Sequence, residues 1–123
     1  MSNQPVVFVV DDDPSVLEST AALMDSVGLK VTTFASGEEF LDAYLPHQRG
    51  CLLLDVRLPG ISGIELARKL QSDAVDLPVI LISGHANADV CEERISDNVV
   101  VYLEKPINSH DLIEQIRNVI SGI

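Results

Sequence analysis

The stretch VVFVVDDDP, residues 6–14, decides the fold of this chain because it joins an unbroken apolar run directly to three acids and a proline. A short continuous apolar run is typical of a strand that is buried on both faces of a parallel sheet. Asp13 and Pro14 supply a helix N-cap and a proline at the first helical position. The stretch therefore predicts a strand, a loop and a helix in immediate succession.

Strand signals recur along the rest of the chain. Cys51–Asp55, residues 78–83 and Val99–Leu103 are further apolar runs, and each ends on or beside a polar residue. Lys30–Phe34 alternates weakly between apolar and polar residues, as an edge strand with one solvated face would. Together with Val6–Val10, these segments predict five strands.

Helix signals fill the intervals between the strands and follow the last one. Asn98 is a candidate for the left-handed position that glycine usually takes at the end of a helix. Capping boxes, in which a serine and a glutamate three residues later bond each other's backbone, are predicted at Ser36–Glu39 and Ser62–Glu65. The predicted helices begin after Asp13, Ser36, Ser62 and Asn108, and a polar fourth helix spans residues 88–97.

Strict alternation of five strands with five helices predicts right-handed crossovers and a doubly wound α/β domain spanning residues 1–123. In such a sheet the functional crevice lies at the carboxyl ends of the strands. Polar residues follow four of the five strands, so we expect them to converge at one edge of the sheet. These residues are Asp11, Asp12, Asp13, Asp55, Ser83 and Lys105.

The converging residues could handle a phosphoryl group. Adjacent carboxylates repel each other unless a cation neutralises them, and oxygen ligands favour Mg²⁺, so Asp11 and Asp12 are candidate metal ligands. Asp55 could attack a phosphorus atom, and Lys105 could pair first with that carboxylate and then with a phosphoryl oxygen. Ser83 could donate a hydrogen bond to the same group. In isolation, Asp55 could equally cap a turn and Ser83 could be an ordinary loop residue.

Charge and composition argue against several classes of protein. The chain has 8 basic and 19 acidic residues and a formal charge of −11, which disfavours direct binding to nucleic acid. Its apolar runs are far shorter than a membrane span, and no basic stretch precedes an apolar segment at the N-terminus. Cys51 and Cys91 lie outside any metal-binding pattern, so we expect reduced cysteines in a cytoplasmic protein.

The motifs at the strand ends resemble those of the receiver domain of bacterial two-component response regulators, in the same order and spacing over essentially the full chain. The second and fourth motifs are most similar to the FixJ-like branch, whose receivers usually precede a helix-turn-helix output domain. The four motifs are Val9–Asp13, Leu54–Gly63, Leu81–His85 and Tyr102–Pro106.

The resemblance implies a division of labour among the site residues. Asp55 would be the phosphoacceptor, taking its phosphoryl group from the phosphohistidine of a sensor histidine kinase. Ser83 and Lys105 would contact the phosphoryl oxygens, while Ser83 and Tyr102 would form a switch pair in which the ring turns inward. Mg²⁺ would be the cofactor, bound by Asp11, Asp12, Asp55 and the backbone carbonyl of Arg57. The strand order of the family is 2-1-3-4-5.

The resemblance also implies a function. Phosphorylation would switch the face formed by the fourth helix, the fifth strand and the fifth helix. The readout would be a homodimer, a target protein or a DNA-binding output domain that is absent from this chain. The domain would not be an enzyme beyond accepting the phosphoryl group and assisting its own dephosphorylation. The alternative within the family is a stand-alone phosphorelay shuttle or phosphate sink.

Two other classes of protein fit the residues less well. A hydrolase of the haloacid-dehalogenase kind would place a second aspartate two residues after Asp55, where this chain has Arg57. A flavodoxin-like cofactor binder would need a phosphate-cradling loop after the first strand. Three acids stand at that point instead, and they would repel a flavin phosphate.

Overall fold

Five parallel strands form one sheet in the computed structural model of the chain, which describes residues 4–44, 48–84 and 97–122. The strands are β1 (Val6–Val10), β2 (Lys30–Phe34), β3 (Gly50–Asp55), β4 (Val79–Ser83) and β5 (Val99–Glu104). Their spatial order is β2-β1-β3-β4-β5, and every neighbouring pair is parallel. The doubly wound α/β fold and its strand order are therefore confirmed.

Helices follow β1, β2, β3 and β5 in the described residues. They are α1 (Pro14–Ser26), α2 (Gly37–Ala43), α3 (Gly63–Ser72) and a C-terminal helix (Ser109–Ser121). The helix predicted over residues 88–97 lies, apart from Asp97, outside the described residues. Among the helices that are described, none combines the length and the apolar character needed to cross a bilayer.

The sheet is covered on both faces, which explains why its inner strands are apolar along their whole length. Side chains alternate between the two faces of a strand. On one side, which we call the α2–α3 face, Phe8 of β1 belongs to a core with Phe40 of α2 and Leu66 of α3. On the other side, the α1–C-terminal face, Val7 belongs to a core with Met24 of α1. Ile116 of the C-terminal helix completes that second core.

The two edge strands are more exposed than the inner three. β2 is half-buried to exposed, so its prediction as an edge strand is confirmed. The prediction that β5 is buried on both faces is wrong, since none of its residues is fully buried and Val100 is 52% exposed. The reason is its position: in the described sheet, β5 pairs with β4 alone.

Most of the predicted helix caps are confirmed. Asp13 Oδ1 accepts from the backbone N–H of Ser15, Asn108 caps the C-terminal helix, and Ser62 forms a complete capping box with Glu65. At α2 only half of the predicted box forms. The Glu39 N–H donates to Ser36 Oγ at 3.1 Å, but the Glu39 carboxylate accepts from the backbone N–H of the preceding alanine instead of Ser36.

The left-handed conformation predicted at Asn98 is wrong. Among the described non-glycine residues, positive φ occurs at Ala74, with a φ of 58°. Asn98 instead uses its polar groups to join β5 to α3. Its backbone N–H donates to Gln71 Oε1 at 2.8 Å, and its side-chain amide donates to the Ala67 carbonyl at 3.0 Å.

Cys51 lies in the core of the sheet as a free thiol, as expected from the sequence. Burial raises the pKa of this thiol to about 12, so it stays protonated and inert at neutral pH. Cys91 lies outside the described residues.

Candidate functional site

The register of the strands brings four of the predicted site residues to one edge of the sheet. Asp11 and Asp55 come directly after residues that are paired across β1 and β3. At the other side of the same edge, the backbone N–H of Lys105 donates to the carbonyl of Ser83 at 2.8 Å. Two carboxylates, a hydroxyl and an ammonium group therefore lie at the carboxyl ends of four neighbouring strands.

Asp55 is held by two donors. Lys105 Nζ lies 3.1 Å from Asp55 Oδ2, and the backbone N–H of Arg57 donates to Asp55 Oδ1 at 3.0 Å. The Asp55 side chain is 11% exposed and that of Lys105 is 39% exposed, so the pair lies at the mouth of the site. Charge-assisted bonds of this kind fix the orientation of a carboxylate. The Lys105–Pro106 peptide bond is cis.

Asp11 is the more deeply buried carboxylate, with 6% of its surface exposed. Burial raises the pKa of this carboxyl, and the negative charge of the neighbouring Asp55 raises it further. The backbone N–H of Asp13, which donates to Asp11 Oδ1 at 3.0 Å, and the Lys105 ammonium act in the opposite direction. Two acids that repel each other in a partly buried crevice form an arrangement that a cation would relieve.

The other two acids after β1 are placed differently. Asp12 is exposed, and within the described ranges no group of three or more acidic, histidine or cysteine side chains is arranged to hold a metal ion. The carboxylates that the described residues bring together at this edge are thus Asp11 and Asp55. Asp13 caps α1, and its hydrogen bonds with the Ser15 hydroxyl and backbone lower the pKa of its carboxyl.

The residues at this edge fit a hard divalent cation. Mg²⁺ in proteins is commonly held by one or two carboxylates and keeps several water molecules. Asp11 and Asp55 supply two such carboxylates. The backbone of Arg57, whose N–H is tied to Asp55 Oδ1, lies in the segment that follows at once. This donor set consists of oxygen atoms, which Mg²⁺ prefers.

Ser83 ends β4 at the carboxyl edge of the sheet, and Gly84 follows it. Ser83 is 3% exposed, and its backbone carbonyl is bonded to the N–H of Lys105. A methyl group added at Gly84 would meet no heavy atom of the described residues within 4 Å. Within the described part of the chain, Gly84 therefore does not crowd the site.

Tyr102 lies in β5 and packs against the core of the α2–α3 face. Its hydroxyl oxygen is fully buried and has no hydrogen-bond partner in the part of the chain that the structure describes. The ring thus lies inward, and its polar atom is left unsatisfied. A buried hydroxyl without a partner is energetically unfavourable.

A crevice extends from the site along the α1–C-terminal face, and sequence reasoning missed it. Its volume is about 830 Å³, and its mouth is formed by Asp11, Asp55 and Lys105. Its floor consists of apolar residues of the sheet, and its walls come from α1 and the start of the C-terminal helix. The small polar residues Ser19 and Thr20 along α1 line it and are the sequence signal that could have indicated a gap.

A second missed residue is Glu38, in the first turn of α2. Its Oε2 atom accepts a hydrogen bond from the backbone N–H of Ile61 at 3.0 Å. Ile61 belongs to the loop of residues 56–62 that joins β3 to α3, which we call the β3–α3 loop. This contact links residues 23 positions apart. The sequence signal is limited to an acid near the start of a helix, where its charge is also favourable for the helix dipole.

A family model described as the response regulator receiver domain matches residues 7–117 of the chain. Among curated proteins, the transcriptional regulatory protein FixJ of Azorhizobium caulinodans is 41% identical, over 90% of this chain and 53% of its own length. The response regulator protein TmoT of Ectopseudomonas mendocina is 38% identical, over 93% of this chain and 52% of its own length. The chain thus spans about half the length of these relatives.

Solved structures give the same result. The crystal structure of FixJ-N superposes with a TM-score of 0.88 at 31% identity, covering 100% of this chain and 98% of that one. The structure of the response regulator StyR superposes with a TM-score of 0.85 at 35% identity. That match covers 96% of this chain and 60% of StyR.

Proposed function

Because the chain belongs to the response regulator receiver domain family, we propose that it is a phosphorylation-controlled switch of a two-component system with Asp55 as the phosphoacceptor. The observation that carries this proposal is the Asp55 carboxylate itself. It is nearly buried, lies at the carboxyl edge of a parallel sheet next to a second acid, and is paired with Lys105 at 3.1 Å. A structural ion pair would not need a second carboxylate beside it.

The reaction is a transfer between two nucleophiles. An Asp55 oxygen attacks the phosphorus atom of a phosphohistidine on a sensor histidine kinase, and an oxygen–phosphorus bond forms as the nitrogen–phosphorus bond breaks. The histidine nitrogen leaves with the bonding electrons. Lys105 already lies at Asp55 Oδ2. Once Asp55 is phosphorylated, the Lys105 ammonium group can therefore pair with a negatively charged phosphoryl oxygen. Ser83 supplies a hydroxyl from the neighbouring strand end.

Mg²⁺ is the proposed cofactor. When bound, it neutralises charge on the phosphoryl oxygens and on the acids around them. Asp11, Asp12, Asp55 and the carbonyl of Arg57 would hold it, with the exposed Asp12 binding from the rim of the site. The N–H of Arg57, by donating to Asp55 Oδ1, keeps the attacking carboxylate and the following backbone in a fixed relation.

The proposed output is a change of surface. Ser83 would move towards the phosphoryl group, and Tyr102 would keep its ring inward, biasing the face near β5 and the C-terminal helix towards a second state. In curated relatives of about twice this length, the names refer to transcriptional regulation. We therefore propose a cytoplasmic regulator that acts through a homodimer or an attached DNA-binding domain, and expect no catalysis beyond phosphoryl acceptance and self-dephosphorylation.

The test is the intact mass of the protein after incubation with a small acyl-phosphate donor. The wild type should gain one phosphoryl group with Mg²⁺ and none with a chelator, and Asp55→Asn should gain none. Asp13→Asn is the matched control, because it removes one acid from the same edge while asparagine still caps α1. Phosphorylation of Asp55→Asn at the wild-type level would overturn the proposal.

A further inference from the structure

We propose that Glu38 is a positioning residue for metal binding, because its carboxylate holds the β3–α3 loop that carries the Arg57 carbonyl. The inference deepens the proposed function and rests on it, since the loop matters only if a cation binds beside Asp55. Glu38 itself does not touch the site. It would act through the loop backbone, from the first turn of α2.

We call the contact between Glu38 and the β3–α3 loop the clamp. It begins with a hydrogen bond between α2 and the loop. Glu38 Oε2 accepts from the backbone N–H of Ile61 at 3.0 Å. The same carboxylate also lies directly over Gly60, where an added Cβ would come within 2.6 Å of Oε2. Gly60 has a φ of +74°, a conformation in which glycine is favoured. The loop therefore turns tightly beneath the Glu38 side chain.

The helix that carries Glu38 is itself packed against the loop without spare room. Gly37 is the first residue of α2, and a Cβ added there would lie 2.5 Å from Ile61 Cγ2. Ile61 in turn packs against the core of the α2–α3 face. Because α2 and the loop are in direct contact, the position of the Glu38 carboxylate is fixed relative to the loop backbone.

Both ends of the loop are fixed as well. At its start, the Val56 N–H donates to the Ile82 carbonyl at 2.8 Å, and the Arg57 N–H donates to Asp55. At its end, the Gly63 N–H donates to the Val56 carbonyl at 3.0 Å. The stretch between Arg57 and Ile61 is the part whose conformation these end contacts leave open, and Glu38 binds its far end.

Metal binding gives this clamp a chemical consequence. Mg²⁺ demands near-ideal octahedral geometry, so a backbone carbonyl serves as a ligand only if its position is set in advance. Removing groups that orient metal ligands commonly weakens metal binding about ten-fold or more. Glu38 acts at four residues' distance from the Arg57 carbonyl, so we expect its loss to weaken Mg²⁺ binding by about three- to ten-fold.

The experiment compares three variants by NMR. Glu38→Ala removes the acceptor and the charge, Glu38→Gln keeps an acceptor oxygen, and Glu39→Ala removes an equal charge from the next position. Glu39 is a matched control because its carboxylate accepts from the N–H of Ala35, a residue outside the loop. Two quantities are measured: the Mg²⁺ dissociation constant by titration, and amide hydrogen exchange at Ile61 in the metal-free protein.

We expect faster exchange at Ile61 and a three- to ten-fold higher dissociation constant in Glu38→Ala, with most of both effects recovered in Glu38→Gln. Glu39→Ala should match the wild type in both. Equal dissociation constants in Glu38→Ala and Glu39→Ala would overturn the inference, as would equal weakening by Glu38→Gln, which would indicate charge alone. If the wild type bound no Mg²⁺, the proposed function and the metal role of Glu38 would both fail, whereas faster exchange would still identify the clamp.

Discussion

The two faces of the sheet are packed very differently. On the α2–α3 face, the rings of Phe8, Phe34, Phe40 and Tyr44 form a cluster with centroid separations of 5.1–6.5 Å. The glycines that start α2 and α3 have no room for a side chain. On the α1–C-terminal face, a crevice of about 830 Å³ opens from the site, and within α1 Met24 alone is fully buried.

This difference in packing between the two faces matches two requirements of the proposed function: a fixed loop and an accessible acceptor. The β3–α3 loop, which in the proposed function would present the Arg57 carbonyl to Mg²⁺, contacts the tightly packed face through Gly63 and Glu38. The open face leaves the region around Asp55 and Lys105 accessible along one side. Rigid packing on one side of the sheet thus accompanies access on the other.

The largest expected change in the free energy of unfolding comes from removing a buried side chain on the tightly packed α2–α3 face. Phe40→Ala removes a fully buried ring from the aromatic cluster and should lower the free energy of unfolding by about 3–5 kcal/mol. Leu23→Ala, on the crevice wall, should lower it by only about 1–2 kcal/mol because that side chain is half-buried. Urea denaturation measures both values. Equal losses would mean that the two faces are packed alike.

The second expected effect is on stability and phosphorylation rate, and it concerns two glycines: Gly63 at the start of α3 and Gly84 after β4. A Cβ at Gly63 would collide with the Asp55 carbonyl, so Gly63→Ala should cost about 1–3 kcal/mol and slow phosphorylation by shifting Asp55. Gly84→Ala meets no atom of the described residues and should change stability by less than about 0.5 kcal/mol. Thermal unfolding and phosphorylation rates of the two variants test this. If Gly63→Ala changed neither stability nor the phosphorylation rate, the α2–α3 face would not constrain Asp55.

The third effect is a pH dependence at Asp11. Burial raises the pKa of this carboxyl, so between its ordinary value of 3.8 and the raised value the folded state binds more protons than the unfolded state. Its ionisation therefore destabilises the fold as pH rises. Without metal at pH 7, Asp11→Asn should be more stable than the wild type by about 1 kcal/mol. Denaturation curves at several pH values should show the gain vanish below the ordinary value.

Saturating Mg²⁺ supplies the control for this prediction. In the proposed function the cation would stabilise the ionised wild type but lack a ligand in Asp11→Asn, so adding it should remove or reverse the stability difference. A metal-free variant that is less stable than the wild type at pH 7 would contradict the account of Asp11 as a carboxylate strained by burial.

The smallest effect distinguishes two tyrosines on the packed face. Tyr102→Phe removes a buried hydroxyl that has no partner among the described residues, and it should stabilise the protein by up to about 1 kcal/mol. Tyr44→Phe removes a hydroxyl that donates to the Gln48 carbonyl at 3.3 Å and should destabilise it by about 0.5 kcal/mol. Chemical denaturation under the same conditions compares them. The same sign for both would show that the Tyr102 hydroxyl has a partner in solution.

Local sequence patterns were sufficient to predict the strands, their order along the chain and the acids at their ends. Val6–Val10 is apolar at every position because alternate side chains enter two cores, and its last residue leads directly to Asp11. Asp13 and Ser62 cap helices through neighbours within three residues, which a sequence pattern can reveal. The convergence of Asp55 with Lys105 followed from parallel topology alone.

Features that depend on distant contacts could not be predicted in this way. The Glu38–Ile61 hydrogen bond and the contact of Gly63 with Asp55 exist only once α2, α3 and β3 are packed together. Asparagine is a residue type that can take the left-handed position at a helix end, but the side chain of Asn98 bonds to α3 instead. The crevice beside α1 depends on the separation between α1 and the C-terminal helix, which the apolar residues of α1 do not encode.

The central claim, that Asp55 carries the phosphoryl group, is tested most directly by locating the modification. Acyl phosphates react with hydroxylamine to give a hydroxamate, which marks the modified carboxyl in a peptide mass spectrum. After incubation with a phosphodonor and Mg²⁺, the account predicts a hydroxamate at Asp55 and at no other acid. A hydroxamate at Asp11, Asp12 or Asp13, or a hydroxylamine-resistant phosphate on Ser83, would contradict it.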